Sequence, residues 1–167
     1  EIVEREQLPK LEEYADALWA MRRRKGLTHY RARRQLERSR TYYGTMMVHK
    51  GDADGLVSGL TSDYPRTIRP ALQIIGVRPG VRKAAGMYMV ITNKDVWFLA
   101  DTTINIEPDA ATLAETAELS ADLVAELGIE PRVAMLSFSN FGDADHAQSR
   151  KVAEATRLVK ERRPDLM

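Results

Sequence analysis

Residues 51–59 read Gly-Asp-Ala-Asp-Gly-Leu-Val-Ser-Gly, and at this point the period of the chain changes. From Asp54 to Gly59 a short apolar run is bounded by glycines, which predicts a buried strand. Upstream the pattern is helical. Leu11, Tyr14, Ala15, Leu18 and Met21 recur at three- and four-residue steps and predict a helix over 9–24, stopped by Gly26. Thr28 is placed to cap a second, Arg-rich helix over about 29–50. The end of that helix, with Tyr42, Tyr43, Met46, Met47 and Val48, reads as core packing. Downstream, Thr61 to Pro65 reads as a loop, and a helix runs to about Ile75 with Pro70 in its first turn. Gly76, Pro79, Gly80 and Gly86 mark a break, so residues 1–80 and 81–167 are expected to form two subdomains.

The second half begins with two runs, 87–91 and 96–100, separated by Thr92-Asn93-Lys94-Asp95, the spacing of a β-hairpin. Pro108-Asp109 opens a helix to about Leu127 with Leu113, Ala117, Ala121, Val124 and Leu127 as its apolar stripe, closed by Gly128. Val133 to Leu136 reads as a central strand, 137–142 as the loop after it, and about 144–162 as a last helix. Helices alternating with buried strands predict an α/β fold: a mixed, mainly parallel sheet flanked by helices on both faces.

Composition narrows the function. The 167 residues are 44% hydrophobic and 29% charged, with net charge +1 and no cysteine. This excludes a disulfide scaffold and thiolate chemistry, and no run of apolar residues is long enough to span a bilayer. Glu1 to Lys10 is polar and unlike a secretion signal, so the cytoplasm is expected. Residues 21–40 hold nine basic groups against Glu37, whereas 95–131 hold nine acids and no Lys or Arg. These regions read as solvated helix faces, as an interface with each other, or as contacts to an anionic ligand. One Arg-rich helix without stacking aromatics does not make a nucleic-acid surface. His29, His49 and His146 lack ligand spacing, so no metal site is expected.

Two loops have the composition of an anion site at a strand end. Ser58, Thr61 and Ser62 lead to Arg66 and Arg69, and Ser137 and Ser139 lead into the last helix. Small and hydroxyl residues let backbone approach a ligand, and guanidinium geometry matches phosphate. Each loop also reads as an ordinary strand-to-helix turn.

Several stretches together resemble the phosphate acetyl/butyryltransferase family. They are Met21-Arg22-Arg23-Arg24-Lys25-Gly26, residues 51–59, Arg69-Pro70-Ala71-Leu72-Gln73-Ile74-Ile75, Phe98-Leu99-Ala100-Asp101, Asn105 and 131–139. Within it, residues 85–90, 99–105 and 137–142 look like the variant that forms the C-terminal domain of bacterial hybrid NADP-dependent malic enzymes. The resemblance implies a two-subdomain phosphotransacetylase-like (isopropylmalate-dehydrogenase-like) fold, truncated at the C-terminus because the family's Ser-Arg-Gly stretch and following aspartate lie beyond Met167. It implies a homodimer or larger assembly, and acetyl-CoA as an effector ligand of the domain. It assigns Arg22 and Arg69 to the acyl-CoA and phosphate cleft, with Ser137 and Ser139 matching a family Ser loop. It implies no catalytic residue and no resident cofactor in this stretch; NADP and Mg2+ or Mn2+ belong to the expected parent. A catalytic phosphate acetyltransferase is the other parent the resemblance allows. Asp63 and Asp143 depart from the transferase pattern, and a carboxylate in the cleft would repel phosphate.

Overall fold

The computed structural model describes residues 7–167, so most of the polar opening stretch lies outside the described residues. The chain divides into two compact units, Glu1–Arg78 and Pro79–Met167.

The first unit is helical. Helix α1 (Leu11–Arg22) ends in a short 3-10 turn and Gly26, whose φ of +83° is the left-handed conformation that favours glycine. Helix α2 (His29–Arg38) is capped by Thr28, whose hydroxyl accepts the Arg31 N–H at 3.3 Å. The single helix expected over 29–50 is two. Ser39 turns extended, and its hydroxyl caps α3 (Arg40–Lys50) by accepting the Tyr42 N–H at 3.3 Å. The core of this unit joins Tyr14, Ala15 and Leu18 of α1 to Ala32 and Leu36 of α2, to Tyr42, Tyr43 and Met46 of α3, and to Ile74. The rings of Tyr14 and Tyr43 lie 5.0 Å apart at 55°. The C-terminal side of the expected stripe departs from the pattern, with Met21 exposed.

Helix α4 (Tyr64–Pro70) has Pro65, not Pro70, in its first turn. Pro70 is buried in its last turn and has no N–H to give to the Arg66 carbonyl. The chain then continues as one π-helical turn, Ala71–Ile75, closed by Gly76 N–H to the Ala71 carbonyl at 2.9 Å.

The second unit contains the hairpin, β1 (Met87–Ile91) and β2 (Val96–Ala100), antiparallel with Met87 opposite Ala100 and Ile91 opposite Val96. Its turn is fixed by Thr92, whose N–H reaches the Asp95 carbonyl at 2.9 Å and whose hydroxyl accepts the Asp95 N–H. Helix α5 (Ala110–Glu126) is capped by Asp109, which accepts the Thr112 N–H at 2.7 Å. Helix α6 (Ala147–Arg162) packs on α5, with Ala114, Ala117 and Val159 as the buried centre. Leu127, expected in the stripe of α5, is 51% exposed.

The mainly parallel sheet is not what these residues form. Among the described residues the one sheet is the antiparallel pair β1–β2. The expected strands at 54–59 and 133–136 join no ladder, and Val57 and Leu136 stand open to solvent. A strand is completed by a ladder of hydrogen bonds: among the described residues 54–59 joins no ladder, and 133–136 has a single bond from the Val133 N–H to the Met167 carbonyl at 2.8 Å, which makes no ladder.

Candidate functional site

The site is built in the first unit, around Tyr42. Its ring is packed in the core, and its hydroxyl donates to the Gln73 side-chain carbonyl at 2.8 Å. Gln73 lies on the π-helical turn, four residues beyond Arg69 at the end of α4. Burial pushes the Tyr42 phenol above its ordinary value; the charges of Arg69 and then Arg22 pull it back, and the Gln35 amide acts in the same direction. Arg22 arrives from the last turn of α1 and Arg69 from the last turn of α4.

Some other cations of this unit have carboxylates. Lys10 pairs with Asp52, His29 with Asp16, Arg33 with Glu12 and Glu37, Arg34 with Glu37, and Lys50 with Glu13. Among the described residues no carboxylate pairs with Arg22 or Arg69. Asp63 is committed elsewhere: it accepts the Arg66 N–H at 2.9 Å and pairs with the Arg66 guanidinium at 3.3 Å. Within the stretch 21–40, His29 and Arg33 reach acids on α1, and Arg33 and Arg34 reach Glu37 on α2. The acids of 95–131 find Arg82, Arg132, Arg162 and Arg163 within their own unit.

The expected hydroxyls fare differently. The Ser58 hydroxyl lies 3.3 Å from that of Thr41, next to Tyr42 in sequence. Thr61 and Ser62 are exposed in the turn before α4. That helix has only seven residues, and Asp63 takes an N–H of its first turn, so the helix end offers no anion site of its own. Ser137 and Ser139 belong to the second unit and hold their own loop: the Ser139 N–H reaches the Ser137 hydroxyl at 3.1 Å, and the Ala144 N–H reaches the Ser139 hydroxyl at 3.0 Å. Among the described residues no group of three or more His, Asp or Glu is placed to hold a metal ion. Among the described residues no helix is long and apolar enough to cross a membrane.

Tyr42, Gln73 and Gln35 were not among the expected site residues. The available signal was a tyrosine in a core run, since a buried phenol needs a partner for its hydroxyl, together with a glutamine one turn beyond Arg69.

This arrangement sits in a known lineage. The description "Phosphate acetyl/butaryl transferase" matches residues 1–167. The chain belongs to this family. It is 40% identical over its whole length to an NADP-dependent malic enzyme of Escherichia coli (strain K12), of which it covers 22%. It is 45% identical over 144 residues to a phosphate acetyltransferase of Bacillus subtilis (strain 168), covering 86% of this chain and 45% of the relative. A phosphotransacetylase from Streptococcus pyogenes superposes with a TM-score of 0.82 at 37% identity, over 95% of this chain and 48% of that one. The fold is therefore α/β and phosphotransacetylase-like. The chain spans between about a fifth and a half of the length of these relatives.

Proposed function

We propose that the Arg22–Tyr42–Arg69 neighbourhood binds the phosphate-bearing end of an acyl-CoA or acyl phosphate. In this reading the chain is part of an acetyl-CoA-binding regulatory and oligomerisation module of an NADP-dependent malic enzyme. The parent oxidatively decarboxylates malate to pyruvate with NADP and Mg2+ or Mn2+, which this stretch does not hold. The supporting observation is two arginines, without a carboxylate ion-pair partner among the described residues, whose charges both act on the Tyr42 phenol. Like charges brought together without a counter-ion repel, and a ligand with negative charge relieves that repulsion. Acetyl-CoA regulates in this scheme only through different affinities for two states of the assembly.

The phosphotransacetylase relatives favour a second reading, a part of a catalytic phosphate acetyltransferase, in which acetyl-CoA and phosphate give acetyl phosphate and CoA. There the same guanidiniums offset charge on the transferring group. Both readings place Ser58, Thr61 and Ser62 beside the ligand; Ser137 and Ser139 keep the ligand-binding role that the family loop implies.

In the natural full-length protein, Arg69→Ala abolishes acetyl-CoA regulation and leaves malate turnover near the wild-type rate if the first reading holds. Unchanged regulation in that variant refutes the role of Arg69. Release of free CoA thiol from acetyl-CoA, dependent on added phosphate and lost in Arg69→Ala, selects the transferase instead.

A further inference from the structure

We propose that Gly44 and Leu56 are positioning residues: the gap at Gly44 seats Leu56, and this contact holds the hydroxyl loop 58–62 against α3. This rests on the anion-binding reading above and names what fixes the loop of that site. A Cβ placed on Gly44 would lie 2.9 Å from Leu56 Cδ1, so no side chain fits at this point of α3 unless Leu56 moves. Glycine inside a helix is destabilising relative to alanine, and the seat for Leu56 is the compensation for placing it there. Two residues beyond Leu56, the Ser58 hydroxyl lies 3.3 Å from that of Thr41, which is one turn before Gly44 on the same face of α3. Val57 and Leu60 stand open to solvent, so the apolar grip of this run falls to Leu56. Past α4 the chain returns to the same helix, where the Tyr42 hydroxyl donates to the Gln73 side-chain carbonyl at 2.8 Å. The stretch 56–73 is thus fastened at both ends to one turn of α3. Thr61, Ser62 and Arg69 lie between the two anchors.

The test measures affinity for inorganic phosphate and, separately, for CoA, by calorimetric titration of the natural full-length protein. Phosphate, CoA or both should bind the wild type, and the two titrations separate the sources of the phosphoryl group. Gly44→Ala drives one methyl group into Leu56 and leaves every polar group of the loop in place. It should weaken the same ligand about tenfold, the scale of one misplaced methyl in packed surroundings. Its thermal midpoint should stay near that of wild type, because alanine favours the helix while the loop yields. Leu56→Val removes the Cδ carbons that the new Cβ meets. The double variant Gly44→Ala/Leu56→Val should therefore regain most of the lost affinity, a non-additivity expected only of residues in contact. If Gly44→Ala does not fold, Leu56→Ala replaces it: that change empties the seat, and the same loss of affinity is expected there.

Wild-type affinity in Gly44→Ala or Leu56→Ala, with Arg69→Ala weakened, overturns the role of the Gly44–Leu56 contact and leaves the anion site standing. A loss in Gly44→Ala that Leu56→Val does not restore overturns it as well. Failure of the wild type to bind either ligand overturns both readings.

Discussion

Asp52 shows how much one side chain fixes in the first unit. It follows Gly51, which ends α3 with a φ of +77°, and it accepts hydrogen bonds from the Tyr14 hydroxyl and the Lys10 ammonium, each at 2.5 Å. The end of α3 is thereby tied to the start of α1. Burial, then the bond to Asp52, holds the Tyr14 phenol far above its ordinary value. The native state keeps that proton more tightly than the unfolded chain, whose tyrosines titrate near about 10. The stabilisation is therefore complete below that pH and falls as pH rises through it. Urea unfolding should show a midpoint that drops above about pH 10, with a smaller drop in Tyr14→Phe; equal slopes in the two proteins would show that Tyr14 is not the group. A second residue tests the core itself. Leu36 is 1% exposed, and Leu36→Ala should cost about 2–5 kcal/mol in denaturant unfolding.

Among the elements, the connection from β2 to α5 hangs on one carboxylate. Asp101 accepts N–H groups from Gly86 at 2.9 Å, Thr103 at 3.2 Å, Ile104 at 3.1 Å and Asn105 at 2.8 Å, and the Asn105 amide at 2.6 Å. Burial pushes its acidity toward the neutral form, yet the N–H groups of Gly86, Asn105 and Ile104 outweigh it and hold the carboxyl below the usual range. The resulting stability is present above the unfolded carboxylate value and lost as pH falls below it. Asp101→Ala orphans these donors and should cost about 1–3 kcal/mol, with the difference from wild type shrinking in acid. A constant difference down to low pH would contradict this assignment. Local signals made several elements legible: Gly26, Thr28 and Asp109 cap where their chemistry demands, and Thr92 to Asp95 turns the hairpin. Ser39 was not legible, because no glycine or proline interrupts the Arg-rich run in which it breaks the helix.

At the scale of the molecule, what sequence could not supply was neighbours. The runs 54–59 and 133–136 have strand composition, but a ladder needs a second backbone, and composition does not say whether one arrives. Arg22 and Arg69 could be singled out by motif, whereas the bond from the Tyr42 hydroxyl to Gln73 arises only when α3 and the segment after α4 are packed. Unpaired apolar surface has its own consequence. Ile91 is 73% exposed and Trp97 59%, on a hairpin with free edges. Such edges promote association. Sedimentation should show mass rising with concentration, and Trp97→Lys should suppress that rise; an unaltered profile would rule out the hairpin as the contact. The molecule should also tolerate changes of length very unevenly. The π-helical turn after Pro70 carries one residue more than an α-helical turn needs, and that surplus sets the angular phase between guanidinium and amide. Deleting Leu72 would rewind the segment and swing Gln73 by about 100°, so the shortest of indels, far smaller than any loop could absorb unnoticed, would part the tyrosine from its partner.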